Sequence, residues 1–117
     1  MSFLSAISAI SGGLWGQKTF DIAAPAPDTA LEDVPALAVD METTGIKPAR
    51  DTMLSIGWVP LNGRSIDLSG AGYVVVAGGE VGESATIHGL TDDEIALGVK
   101  PEEAMEQLLE ALHGRVL

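Results

Sequence analysis

The sequence contains no cysteine and has six basic residues against 17 acidic ones, which gives a formal net charge of −11. The absence of cysteine excludes disulfides, thiolate catalysis and cysteine-ligated zinc or iron–sulfur sites. The shortage of positive charge opposes charge-driven adhesion to nucleic acid or to an anionic membrane, since both carry the sign of this chain. A role on nucleic acid therefore needs metal ions or a basic surface supplied from elsewhere.

Long apolar runs are also missing. No stretch approaches the roughly 18 apolar residues expected of a membrane-spanning helix. The N-terminus lacks the basic residues that open a secretory signal, so we expect a cytoplasmic protein without membrane contact. The length is 117 residues, 46% of them hydrophobic, and the mean hydropathy is +0.28, which together favour one folded domain with its own core.

The composition divides the chain into two parts. Residues 1–35 begin with apolar side chains at positions 3, 7, 10 and 14, a helical spacing that predicts a short helix or frayed arm, or a docking peptide for a partner. Residues 21–35 are rich in alanine, proline and acids, which is typical of a linker. We expect the ordered domain to occupy residues 36–117.

Three strands are predicted in series. Apolar runs cover residues 37–39 and 53–61, and the dipeptide Asn62-Gly63 after the second run is typical of a hairpin turn. A third strand follows, is interrupted at residues 69–72 and resumes at Tyr73. Short turns between successive strands predict an antiparallel meander.

Two helices are predicted after the strands. Thr91 and Glu94 form a capping-box pattern for a short helix that ends near Gly98. Pro101 opens a longer helix with an apolar stripe at Ala104, Leu108, Leu109 and Leu112, and Gly114 can supply a left-handed C-terminal turn. Residues 115–117 have the pattern of a strand that is just beginning.

Asp40 and Glu42 are the candidate chemical groups. They lie two residues apart on a predicted strand, so both side chains leave the same face of the sheet. Adjacent carboxylates repel unless one is protonated or a cation lies between them, and oxygen ligands of this kind suit Mg²⁺ or Mn²⁺. Asp-x-Glu alone is a weak signal, because two acids at a strand end are commonly a solvated turn.

The surrounding residues strengthen the metal interpretation. Residues 38–45 (AVDMETTG) resemble the first motif of the DEDD superfamily of 3′–5′ exonucleases, most closely the type that includes the proofreading (epsilon) subunit of bacterial DNA polymerase III. Residues 51–57 (DTMLSIG) are similar to the second strand of that family, and residues 87–91 (IHGLT) to its helix entry. The order and spacing of the three segments make the resemblance specific over about residues 36–117.

This resemblance implies a ribonuclease-H-like α/β fold and two divalent metals, Mg²⁺ or Mn²⁺. Asp40 would bind both metals and Glu42 one of them, at a catalytic centre that hydrolyses phosphodiester bonds from a single-stranded or frayed 3′ end of DNA or RNA. Polymerase subunits would be possible protein partners. Thr43, Thr44 and Gly45 would line the pocket for the terminal nucleotide, and Glu83 and His88 match positions that contact it.

Two of these residues, His88 and Glu83, have competing explanations. His88 fits equally a histidine at a helix entry bonded to backbone, and Glu83 a solvated surface acid. His113 has no counterpart in the family and is explained by a favourable position near a helix C-terminus.

The resemblance stops short of the later family motifs. The second motif with its metal-binding aspartate, the general-base histidine and the last aspartate have no match here. We therefore expect the N-terminal half of an exonuclease domain, truncated to a three-stranded meander and two helices and lacking the later motifs that catalysis by the family uses. Two other functions stay open: a non-catalytic module that pairs through an open edge strand, and an acidic domain that binds a nucleotide or metal without turnover.

Overall fold

The computed structural model describes residues 24–47, 49–78 and 89–117. In this part the chain is a mixed α/β fold with an antiparallel sheet of four strands and two helices, which confirms the predicted α/β class. The elements in chain order are β1 (Pro35–Thr43), β2 (Met53–Asn62), β3 (Ser65–Ile66), β4 (Gly72–Val75), α1 (Asp92–Ala96) and α2 (Pro101–Leu112). Strand β2 is central, with β1 on one side and both β3 and β4 on the other.

The predicted third strand is divided into β3 and β4, so the sheet has four strands rather than three. A 3-10 turn at Leu68–Gly70 separates them, and the Asp67 carboxylate accepts a hydrogen bond from the Ser69 N–H at 3.0 Å to cap this turn. On β2, the Pro60 carbonyl accepts from the Asp67 N–H at 2.9 Å. Proline has no N–H to return, so the pairing with β2 is interrupted there.

The predicted hairpin forms, but its register differs from the prediction. Asn62 pairs with Ser65, so the two loop residues are Gly63 and Arg64 rather than the dipeptide Asn62-Gly63. Gly63 has φ of +58° and no non-glycine residue in the described part has positive φ. Glycine at the first loop position is the arrangement of a type II′ turn, which explains the shift by one residue.

Both predicted helices are confirmed. The Thr91 hydroxyl accepts from the Glu94 N–H at 3.3 Å, and the Glu94 carboxylate accepts from the Thr91 N–H at 2.9 Å, which completes the capping box of α1. Pro101 is the first residue of α2. Gly114, just beyond the end of α2, has the predicted positive φ, +75°.

The main core lies between α2 and one face of the sheet. The predicted apolar stripe of α2 is buried, and Met105 joins it. The buried members of this core are Leu37, Met53, Ile56, Val74, Val76, Ala104, Met105, Leu108, Leu109 and Leu112. A second, smaller cluster contains Leu54, Leu90 and Ile95, with Val75 packed against it.

Strand β1 forms one edge of the sheet, and the residues after α2 reach it. Val116 makes a parallel bridge to Ala36: the Leu37 N–H donates to the Val116 carbonyl at 2.8 Å, and the Val116 N–H donates to the Pro35 carbonyl at 3.0 Å. The strand predicted to begin at residues 115–117 is present as this bridge. Beyond it, the outer edge of β1 has no partner strand among the described residues.

Residues 24–34 form two turns that precede β1, and they contact the hairpin. The Gly63 N–H donates to the Val34 carbonyl at 3.3 Å, and Arg64 pairs with Glu32 at 3.4 Å. The predicted helix or arm at residues 3–14 lies outside the described residues. No helix in the described ranges has the length and apolar character needed to cross a membrane.

Candidate functional site

Asp40 and Glu42 lie on the face of β1 that points away from α2. Leu37 is buried in the main core, and Val39 and Met41 pack against it. Because side chains alternate along a strand, the two acids leave from the opposite face, with their Cα atoms about 6.7 Å apart. Asp40 is exposed and Glu42 is half-buried. The structure thus places both predicted metal ligands on one solvent-accessible face.

Both carboxylates retain free acceptor capacity. Asp40 accepts one hydrogen bond, from the Met41 N–H at 3.1 Å. The Glu42 carboxylate has no hydrogen bond or ion pair in the described ranges. Each carboxylate has about four lone-pair sites, so most of them are available to water or a cation. No group of three or more potential metal-ligating side chains occurs among the described residues, so these two acids stand without a third protein ligand from that part.

The residues that follow Glu42 form a loop that is held together by hydrogen bonds of its own polar groups. The Thr43 hydroxyl donates to the Gly45 carbonyl at 2.7 Å. The Thr44 N–H donates to the Thr52 carbonyl at 2.9 Å, and the Thr44 hydroxyl accepts from the Thr52 N–H at 3.0 Å. Thr43, Thr44 and Gly45 are therefore held directly beside the two carboxylates, as their order along the chain requires. The hydroxyls of the two threonines also stabilise the loop itself.

Asp51 anchors the other side of this loop, and sequence reasoning did not identify it as a site residue. Its carboxylate accepts from the Lys47 N–H at 2.8 Å and pairs with Arg50 at 3.4 Å, and only 11% of its side chain is exposed. The Lys47 hydrogen bond, followed by the Arg50 charge and hydrogen bond, lowers the pKa of Asp51. A Cβ on Gly45 would lie 2.5 Å from the Asp51 Oδ2, so glycine is required by this close approach. The signal available in the sequence was the pairing of a glycine with an acid six residues later.

Ser55 on β2 pairs with Glu42 and is the buried polar residue of the described part, with 1% of its surface exposed. Residues directly opposite in an antiparallel pair share a face and have Cβ atoms roughly 5 Å apart. The Ser55 hydroxyl has no hydrogen-bond partner in the described ranges. Ser55 and Glu42 are therefore cross-strand neighbours on the same face of the sheet.

An open depression lies beside Asp40. It has a volume of about 370 Å³, and its lining residues are Ala38, Val39, Asp40, Gly57, Trp58, Val59 and Gly72. A larger depression of about 620 Å³ lies between residues 30–36, the hairpin and Val116. Its acidic lining residue, Glu32, is already paired with Arg64. The smaller depression is the one adjacent to a candidate metal ligand.

The remaining predicted site residues, Glu83 and His88, lie outside the described residues. His113, which was not predicted to belong to the site, is the C-cap of α2, where its N–H donates to the Glu110 carbonyl at 3.3 Å. Helix α2 packs on the face of the sheet opposite to the two carboxylates.

No protein-family model matches the chain, and no curated protein matches it in sequence.

Proposed function

We propose that this chain carries the metal-binding carboxylates of a metal-dependent 3′–5′ exonuclease with a ribonuclease-H-like fold. The observation that supports this most strongly is the placement of Asp40 and Glu42 on one accessible face of an edge strand, directly before the Thr43–Thr44–Gly45 loop.

The order of the strands supports the finer fold assignment. The antiparallel strands β1 to β4 are followed by α1 and α2, and the chain then returns to β1, where Val116 makes a parallel bridge to Ala36. In the family that the sequence resembles, a further strand lies beside the strand that bears the two acids, and the Val116 bridge is at that position.

The donor atoms fit a small, hard divalent cation. Mg²⁺ is commonly held by one or two carboxylates, with waters and substrate phosphate oxygens completing its coordination. Asp40 and Glu42 supply the carboxylates, and the open face leaves room for the other ligands. A bound Mg²⁺ or Mn²⁺ activates water and stabilises the charge that develops on a phosphate during hydrolysis.

The protein residues have separate tasks in this proposal. Asp40 and Glu42 hold the cation, and the cation offsets the repulsion between a phosphate and an acidic chain. The Asp51-anchored loop holds Thr43, Thr44 and Gly45 beside it, where hydroxyl and backbone groups can meet the terminal nucleotide. The expected substrate is a single-stranded or frayed 3′ end of DNA or RNA, and polymerase subunits are the expected protein partners.

Hydrolysis of the substrate requires more metal ligands and catalytic groups than binding does. Two metals about 4 Å apart need more ligands than two carboxylates, and proton transfer by a general base contributes about 10²- to 10⁴-fold. The described residues supply neither a third ligand nor a base at this site. Cation-dependent binding of a 3′ end is therefore the property to test first in this chain, before hydrolysis.

The experiment is a binding titration of a 5′-labelled single-stranded oligonucleotide in Mg²⁺ and in EDTA. We expect binding in Mg²⁺ that is lost in EDTA and lost in the double variant Asp40→Asn, Glu42→Gln. Asp28→Asn removes an exposed acid from residues 24–34 and is the matched control. Binding that is equal in Mg²⁺ and EDTA, or equal in the double variant and the control, contradicts the proposal. Release of mononucleotides in Mn²⁺ would extend it to turnover.

A second candidate is a module that pairs through the open edge of β1. Hydrogen-bonding groups alternate in direction along a strand, so the backbone groups of Val39 and Met41 point to the same side as those of Leu37, which meet Val116. Unpaired groups of this kind are a template for another strand. Light scattering tests this candidate, because a chain that stays monomeric over a wide concentration range contradicts self-pairing.

A further inference from the structure

Tyr73 lies in one row across the sheet with Asp40. On β4, Tyr73 pairs with Gly57 of β2, and Gly57 pairs with Asp40 of β1. Residues directly opposite each other in antiparallel strands share a face. Tyr73 and Asp40 are therefore on the same face of the sheet, separated by one residue that has no side chain.

The ring of Tyr73 occupies this face and is open to solvent. Its Cδ2 atom lies 3.5 Å from the position that a Cβ on Gly57 would take, and 62% of the residue is exposed. The ring thus leans over the central strand toward β1. Gly57 and Gly72, the neighbours of Tyr73 across and along the sheet, also line the 370 Å³ depression that contains Asp40.

An exposed aromatic ring beside a cation site suits one class of ligand. Proteins that bind single-stranded nucleic acid stack successive bases on aromatic side chains, which tolerates any sequence because every base has a flat π face. They usually add a basic groove along the backbone, but this chain has six basic residues and a net charge of −11. Contacts to the nucleic-acid bases must therefore supply the affinity that basic side chains supply in other proteins of this kind.

We propose that Tyr73 is a base-stacking residue for a single-stranded nucleic acid whose phosphate binds at Asp40 and Glu42 through a divalent cation. This inference rests on the proposed function and adds a contact to it. The backbone of β4 lies two strand spacings, about 9.6 Å, from that of β1, a separation that a short oligonucleotide can span.

The test compares Tyr73→Ala with Tyr73→Phe, using the same labelled oligothymidylate with a 3′-terminal phosphorothioate linkage to slow hydrolysis. Stacking on one base predicts about 5- to 150-fold weaker binding for Tyr73→Ala and near-native binding for Tyr73→Phe. The loss should vanish with an oligonucleotide that is abasic near its 3′ end. Because Tyr73 is exposed, we expect both variants to keep the native circular dichroism spectrum.

A second measurement needs no variant. Tyr73 is the single tyrosine of the chain, so its ring protons give one isolated set of signals in a tyrosine-labelled sample. A base stacked on the ring shifts these signals upfield as the oligonucleotide is added in Mg²⁺. Unchanged ring signals, together with equal affinities of the wild type and Tyr73→Ala, overturn the stacking proposal.

Failure here is distinguishable from failure of the proposed function. If Asp40→Asn abolishes Mg²⁺-dependent binding while Tyr73→Ala does not weaken it, the stacking proposal is wrong and the cation site remains. If the oligonucleotide does not bind the wild type in Mg²⁺ at all, both proposals are wrong.

Discussion

Thr44 and Thr52 are joined by two hydrogen bonds that close the loop between β1 and β2. The Thr44 N–H donates to the Thr52 carbonyl at 2.9 Å, and the Thr52 N–H donates back to the Thr44 hydroxyl at 3.0 Å. The second bond uses a side chain because the regular β1–β2 pairing is already shifted between Glu42 and Thr43. The residues just after the carboxylates are consequently fixed to the start of the central strand.

Replacing Thr44 tests this closure. Thr44→Val keeps the shape of the side chain and removes the acceptor, whereas Thr44→Ser keeps the acceptor. A typical hydrogen bond contributes about 0.5–1.5 kcal/mol, so we expect amide hydrogen exchange of Thr52 to become a few-fold to roughly tenfold faster in Thr44→Val. Exchange should stay near the wild-type rate in Thr44→Ser. Equal Thr52 protection in both variants would show that the hydroxyl does not hold the loop.

The lowered pKa of Asp51 predicts how this loop responds to acid. The Lys47 N–H and Arg50 lower the pKa of Asp51 below its ordinary value of 3.8. A lowered folded-state pKa means that the carboxylate stabilises the loop fully above the ordinary value and loses this effect as pH falls through the lowered pKa. We expect the loop to stay closed from neutral pH down to about pH 4 and to open only in stronger acid.

The Lys47 amide proton gives the measurement for Asp51. Its NMR shift should move upfield through one acid transition as the hydrogen bond is lost. Asp51→Asn should remove that transition, and Asp28→Asn, which lies outside the loop, should leave it in place. A Lys47 transition centred above pH 4, or one that persists in Asp51→Asn, would refute the anchoring role.

The local parts of this fold were readable from the sequence, and the non-local parts were not. The capping box of α1 lies within four consecutive residues, so Thr91 and Glu94 identified it directly. Asp40 and Glu42 could be placed on one face because the strand repeat is two residues. The division of the predicted third strand into β3 and β4, by contrast, depends on its pairing with β2. The Asp67 N–H donates to the carbonyl of Pro60 on β2, and the local sequence does not specify that partner.

For the candidate site as well, the local part could be predicted from the sequence and the non-local part could not. Its two acids follow from one short motif. The positions of Ser55 and Tyr73 on the same face as the two acids follow from the registers of β1 and β4 on β2, which pair residues 13 and 16 positions apart in the chain. No local pattern specifies such registers, because they result from the packing of the whole sheet against α2.

Arg115 joins three segments of the sheet edge and gives a stability prediction. Its Nη1 donates to the Ala36 carbonyl at 3.3 Å, the Leu61 carbonyl at 3.0 Å and the Asn62 Oδ1 at 2.9 Å. Arg115→Met keeps the apolar stem and removes the donors, and we expect a loss of about 1–3 kcal/mol in the free energy of unfolding.

Urea unfolding measures this loss, with Arg64→Met as the matched control. Arg64 pairs with Glu32 while 86% of its side chain is exposed, and an exposed ion pair of this kind contributes about 0–1 kcal/mol. Equal unfolding midpoints for the two variants would mean that Arg115 does not hold the sheet edge together.

Paramagnetic broadening by Mn²⁺ locates a bound cation directly and tests the central claim most sharply. Substoichiometric Mn²⁺ added to the ¹⁵N-labelled chain should first broaden the amide signals of residues 40–43 and of residues 55–57 on the facing strand. The double variant Asp40→Asn, Glu42→Gln should abolish this local broadening. Broadening centred on the acidic first turns of α1 and α2, or a pattern unchanged in the double variant, would contradict the assignment of Asp40 and Glu42 as cation ligands.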